Sequence, residues 1–312
     1  MKYKILFIAF VSLLMAGCYS EDALTPTTEP EPAYLLPQGN HDYDTRIVDW
    51  NKRCGFYILY RFEPEDVYWN LTVWEGITWS EANQKWDQNT FKALPAEEAY
   101  VGRQLDLIEE EFLNFYPDSV LQKWMPLKLL LCSVLWKPSG TDSVDMACRG
   151  GFDYLAANYG NSSVENLRQG QIDTLRKEIN VVFLKKAIDA GKVTIPEEFG
   201  AETVYGKNVA AGAPYSDTCM YAKGFIKAYD WIIPTIRSDW ADYVTAIVSN
   251  NTEYLESYSF WDQMSGSWWT SNKGMLNEEA KDYNGLVRKK YNIVIRHFKE
   301  VYGVDLQRIG NR

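Results

Sequence analysis

Glu178-Ile179-Asn180-Val181-Val182-Phe183-Leu184-Lys185-Lys186-Ala187-Ile188 is the stretch whose reading decides the fold. Ile172, Leu175, Ile179, Val182 and Phe183 recur at helical spacing, so residues 171–190 read as a long central helix. Ser162, with Glu165 three residues on, forms a capping box ahead of it; Gly170 is a point where the run can kink, and Gly191 ends it. Upstream, Leu127 to Trp136 is apolar except for Lys128 and Ser133 and reads as a buried strand, with a shorter strand over 152–157. Downstream the pattern is chiefly helical. Ser238 or Asp239 opens a helix with Trp240, Tyr243, Val244 and Ile247 inward, and a last helix carries Val287, Tyr291, Val294, Phe298 and Val301 and stops at Gly303. Strands before a central helix and helices after it make an α+β plan, with an N-terminal α/β part to about residue 191 and a helical part beyond.

Closer to the N-terminus, Asp44 reads as the cap of a short helix with Ile47, Trp50 and Cys54 on one face and Gly55 as its stop. Residues 56–62 and 67–74 read as strands. Pro95 opens a helix with Val101, Leu105, Ile108, Phe112 and Phe115 on its apolar face and Asp106, Glu109, Glu110 and Glu111 mostly on its solvated side.

Residues 1–17 have the form of a secretory signal: basic Lys2 and Lys4, an apolar run from Ile5 to Met15, then Ala16-Gly17 before Cys18. The run is too short to span a bilayer, which takes about 20 apolar residues. The junction predicts cleavage and lipidation at Cys18, making the membrane a partner through the anchor. Residues 18–37 read as the anchor and a Thr/Pro/Glu-rich tether that cannot bury a core. Residues 38–312 are expected to form a single domain.

The chain carries a formal net charge of −10, and loss of Lys2 and Lys4 with the signal makes it more acidic still. That balance gives no footprint for nucleic acid. Beyond Cys18 lie Cys54, Cys132, Cys148 and Cys219, with no CxxC spacing. Their pairing stays open, although Cys132, closing an apolar run, reads as a buried free thiol. There are two histidines, His41 and His297. His41 beside Asp42 and Asp44 reads as turn-shaping and helix-capping rather than metal-binding.

Leu36-Pro37-Gln38-Gly39-Asn40-His41-Asp42-Tyr43-Asp44, with Ile47-Val48-Asp49-Trp50 and Gly55-Phe56-Tyr57-Ile58-Leu59-Tyr60-Arg61-Phe62, resembles a family of substrate import-associated zinc metallohydrolase lipoproteins linked to TonB-dependent uptake in Bacteroidetes. The ending Tyr302-Gly303-Val304-Asp305-Leu306 is similar too, and the acids Glu21 and Asp22 after Cys18 resemble a surface-export tag of such bacteria. The resemblance implies a zincin-like, metallopeptidase-type fold and an outer-membrane, lipid-anchored protein facing the cell exterior.

Such a family is expected to carry HExxH on its central helix, because two His four residues apart share one face and grip Zn²⁺ while the Glu polarises its water. Carried onto this chain, the motif falls at Phe183, Leu184 and Ala187, and a third carboxylate at Asp242, in Ser238-Asp239-Trp240-Ala241-Asp242. The helix has no histidine, so the resemblance implies a degenerate metal site, no catalytic residue and no metal cofactor; Asp242 is left to cap or solvate its helix. The resulting expectation is a non-catalytic homologue that binds peptide, glycopeptide or glycan, or scaffolds an outer-membrane importer. The strand at 152–157 would be the edge on which an extended ligand pairs. The alternative is a hydrolase with an unorthodox site.

Overall fold

The computed structural model describes residues 32–68, 79–80, 85–86, 91–212, 216–258 and 271–312. The leader, Cys18 and all but the last residues of the tether lie outside them.

Helix α1 (Asp42–Cys54) buries Ile47, Trp50 and Cys54, and Gly55 closes it in a left-handed turn at φ 81°. Its N-cap is His41. Asp44 sits one turn in and accepts the His41 backbone N–H at 2.8 Å, so it completes a capping box instead of opening the helix. The strand expected over 56–62 contracts to β1 (Tyr57–Leu59). Pro64 then starts a short helix, α2 (Pro64–Val67), where a strand was expected to begin at Val67; residues 69–74 of that strand lie outside the described residues. Short strands β2 (Trp79–Ser80) and β3 (Lys85–Trp86) pair with each other.

Pro95 ends β4 (Lys92–Pro95), and helix α3 begins three residues later (Glu98–Glu111). Val101, Leu105 and Ile108 are buried along it, but Phe112 and Phe115 of the expected stripe fall beyond its end, in the cap and the 3-10 turn that follows, and its acids are not all solvated. Glu111 is buried, and Glu109 accepts the Trp50 indole N–H at 2.7 Å. Helix α4 (Asp118–Trp124) leads into β5 (Lys128–Ser139), followed by β6 (Asp142–Asp145), β7 (Cys148–Gly150) and β8 (Tyr154–Ala157).

The sheet runs β1-β5-β8-β7, with β1 and β8 parallel to β5 and β7 antiparallel to β8. Strands β4 and β6 pair with β5 further along its length. The 152–157 strand is therefore not an edge. β7 covers it, because Cys148–Gly150 folds back onto Leu155–Ala157.

The central helix is α5 (Gln169–Asp189), and Gly170 lies in its first turn without breaking it. The Ser162/Glu165 box opens a separate 3-10 turn (Ser162–Asn166) capped by Asn161, not the helix itself. Beyond α5 the chain to residue 235 holds only α6 (Glu197–Gly200) and a 3-10 turn among its described residues, so it is less helical than the pattern suggested. Helices α7 (Ile236–Ser249), α8 (Thr252–Glu256), α9 (Leu286–Tyr302) and α10 (Leu306–Gly310) complete the helical half. Thr235 caps α7, and Gly303 stops α9 at φ 68°. Val301, read as inward, is exposed. The result is a mixed α+β body: a small sheet, a long central helix and a mainly helical second half.

Candidate functional site

Helix α5 presents distinct faces. One carries Ile179, Phe183, Leu184, Ala187 and Ile188 into the core. Phe183, Leu184 and Ala187 are 0%, 0% and 1% exposed. The Phe183 ring lies 5.2 Å from Phe112, 4.8 Å from Tyr116 and 6.2 Å from Trp124, centroid to centroid. Edge-to-face aromatic contacts of this kind add to the stabilisation from area burial alone.

A second face carries Glu178, Val182 and Lys186 against β7. A Cβ on Gly150 would come within 2.7 Å of Val182 Cγ1, so only glycine lets the strand lie this close. Glu178 Oε2 accepts the N–H groups of Ala147 at 3.1 Å and Cys148 at 3.3 Å. Lys186 Nζ donates to the carbonyls of Gly151 and Phe152. Moving the motif back by one position therefore meets Val182, Phe183 and the spent ammonium of Lys186. Zinc does not fit the side chains present: they are apolar and packed, or already bonded to backbone. No group of three His, Cys, Asp or Glu among the described residues is placed to hold a metal ion.

Asp242 is half-buried on its helix. It accepts from the Tyr229 hydroxyl and lies 3.8 Å from Lys227 Nζ. The rings around Phe183 come from the cap of α3 (Phe112), the end of the 3-10 turn after it (Tyr116) and α4 (Trp124), whereas the partners of Asp242, Tyr229 and Lys227, precede α7. His41 Nδ1 lies 3.2 Å from Asp44 Oδ2, and the Asp44 carboxylate is also held by the Tyr60 hydroxyl at 3.0 Å. His297 is bonded to Thr194 Oγ1 at 3.0 Å and packed edge-on to Trp240; burial pushes its imidazole below the ordinary range.

The site that sequence reasoning missed is an ion pair between α7 and α9. Asp239 and Lys290, each 1% exposed, bond directly. The Tyr205 hydroxyl donates to Asp239 Oδ2 at 2.7 Å, and Lys290 Nζ donates to the Gly224 carbonyl at 2.8 Å. Four rings surround the ammonium: Phe199 at 4.4 Å, Phe225 and Tyr243 at 5.2 Å, and Tyr205 at 5.9 Å. Burial pushes Asp239 up to about 6 and Lys290 down, each against the pull of the other. Perturbed pairs often mark active sites, but at 1% exposure no substrate reaches this one. It joins helices. A signal was present: Lys290 follows Val287 by three residues and precedes Val294 by four, placing it on the apolar stripe of α9.

A groove of about 630 Å³ opens elsewhere, among the N-terminal half of α5, the end of α7, α8 and α10.

No protein-family model matches this chain, and no curated protein does. A crystal structure from Bacteroides caccae, described as a "putative zinc-binding metallo-peptidase", is similar at 11% identity and a TM-score of 0.45, over 88% of this chain and 94% of that one. Agreement at that level carries no argument about the site.

Proposed function

We propose that this chain is a lipid-anchored surface protein of a nutrient-import system, with a zincin-like plan whose metal site has become hydrophobic core, and that it works by binding. The observation that carries the non-catalytic half is the burial of Phe183, Leu184 and Ala187 against Phe112, Tyr116 and Trp124, which leaves the helix face where a metal would be held filled with side chains. The N-terminal block from Leu36 to Phe62 supports the link to import-associated metallohydrolases. The exposed run Trp231-Ile232-Ile233, at 95%, 71% and 54%, supports contact with a partner such as an outer-membrane importer.

Recognition by strand addition is curtailed. With β8 interior, the edge on its side of the sheet is the three-residue β7, and Glu178 already occupies N–H groups at its start. Ligand recognition therefore rests on side chains, which favours a glycan or glycopeptide over an extended peptide.

Elemental analysis of purified protein equilibrated with zinc is expected to show far less than one metal per chain. One bound zinc per chain, or peptide cleavage stopped by a chelator, would overturn the non-catalytic reading.

The anchor is tested separately. Cys18→Ala should either release the protein from the membrane fraction or leave its leader uncleaved. Unchanged attachment, with no lipid label on the wild type, would remove the lipoprotein assignment.

A further inference from the structure

We infer that the groove beside α5, α7, α8 and α10 is a binding site for a neutral oligosaccharide; this names the ligand class of the non-catalytic binding reading and rests on it. At about 630 Å³ the groove falls within the size range of small-molecule sites. Three asparagines line it, each with one end of its amide already held. Asn251 Oδ1 caps α8 by accepting the Tyr254 N–H at 2.7 Å, and Asn311 Oδ1 accepts the Thr252 N–H at 2.7 Å. Asn250 Nδ2 donates to the Ala246 carbonyl at 2.9 Å. Two amide donors, on Asn251 and Asn311, and one amide acceptor, on Asn250, are thereby held in place and unspent among the described residues.

Two lining residues also contribute buried atoms with no partner, Ser249 Oγ and Arg176 Nη1. Both atoms are sealed from solvent, so the groove's own contacts come from the asparagine amides and not from them. Held donors and acceptors side by side match the vicinal hydroxyls of a sugar ring. The Tyr254 ring, 37% exposed, offers an apolar face for the C–H side of that ring.

Charge and apolarity exclude the rival ligand classes. Arg176 is bonded to Asp173 and lies 3.6 Å from Glu111, so its charge is met within the protein. An acidic ligand would find only exposed Lys177 without an ion pair among the described lining residues. Val248 and Ile309 are 2% and 1% exposed, leaving no apolar pocket for a peptide side chain.

Saturation-transfer NMR on the full chain in detergent tests this with maltotriose, cellotriose, xylotriose and triacetylchitotriose, and with trialanine and inorganic phosphate as the other occupants. At least one trisaccharide should bind, with transfer to its ring protons. Tyr254→Ala should weaken it at least about tenfold, a loss equivalent to roughly 1.4 kcal/mol. Asn311→Asp keeps the acceptor for Thr252 and removes the free donor, so it should weaken binding similarly without lowering Tm. No trisaccharide binding, binding indifferent to both variants, or preference for trialanine or phosphate would overturn the inference. Those failures leave the zinc result untouched, whereas stoichiometric zinc would sink the non-catalytic reading whatever the groove binds.

Discussion

Phe183→Ala should produce one of the largest losses of stability of any single truncation in α5. The ring is fully buried and meets Phe112, Tyr116 and Trp124, which come from the cap of α3, the end of the 3-10 turn after it and α4. Emptying such a position removes the transfer free energy of the ring and leaves a cavity, typically about 3–5 kcal/mol. That is a large part of a domain's margin of about 5–15 kcal/mol. At about 2–4 °C per kcal/mol for larger domains, Tm should fall by roughly 10 °C. Thermal unfolding followed by circular dichroism checks it. A change of less than about 1 kcal/mol would mean that the α5 face is not packed as described.

Lys290→Ala is the second large effect. It leaves the Asp239 carboxylate buried with only the Tyr205 hydroxyl for company, and breaking a buried pair from one side costs about 3–5 kcal/mol. Replacing both members by apolar residues of similar size, Asp239→Leu with Lys290→Met, should recover much of the loss, because no charge is then stranded.

The pH dependence has a definite sign. Burial raises Asp239 from 3.8 to about 6, so between those values the folded chain holds more protons there than the unfolded one. Its contribution to stability therefore falls as pH rises through that window. Without the ammonium the carboxyl is pushed up further, so the fall in Lys290→Ala should extend to higher pH. Urea midpoints at about pH 5 and about pH 7.5 should show a larger deficit for Lys290→Ala at the higher pH; the reverse order would refute the assignment.

Periodicity made the long elements legible. The stripe through Ile179 and Phe183, the apolar run of β5 and the spacing of α9 survive in the structure because burial on one face is what the pattern encodes. Ends were less legible because they depend on atoms several residues away. Pro95 could open a helix by its own geometry, yet its strand pairing with β5 claims it. Asp44 is a good cap residue, yet the cap position falls to His41 and Asp44 reaches back from the next turn.

The sheet order could not be read from local pattern. A run such as Tyr154–Ala157 shows that both faces are covered, not which strand lies beside it. The burial of one α5 face was legible in the residues that fill it. The missing histidines and the apolar residues at 183, 184 and 187 stand in the sequence. The Asp239–Lys290 pair needed the packing of α7 against α9, although the position of Lys290 on its stripe hinted at it.

Cys54, Cys132, Cys148 and Cys219 are all buried and unbridged. Burial holds the thiols of Cys54, Cys132 and Cys148 above their ordinary range, away from the thiolate that attacks disulfides and oxidants. The body thus owes none of its stability to a covalent cross-link, and its folding needs neither an oxidant nor a disulfide isomerase. Reductant should leave its melting unchanged. The chain's sulfur chemistry is then left to Cys18, where the proposed lipid anchor requires a reactive thiol.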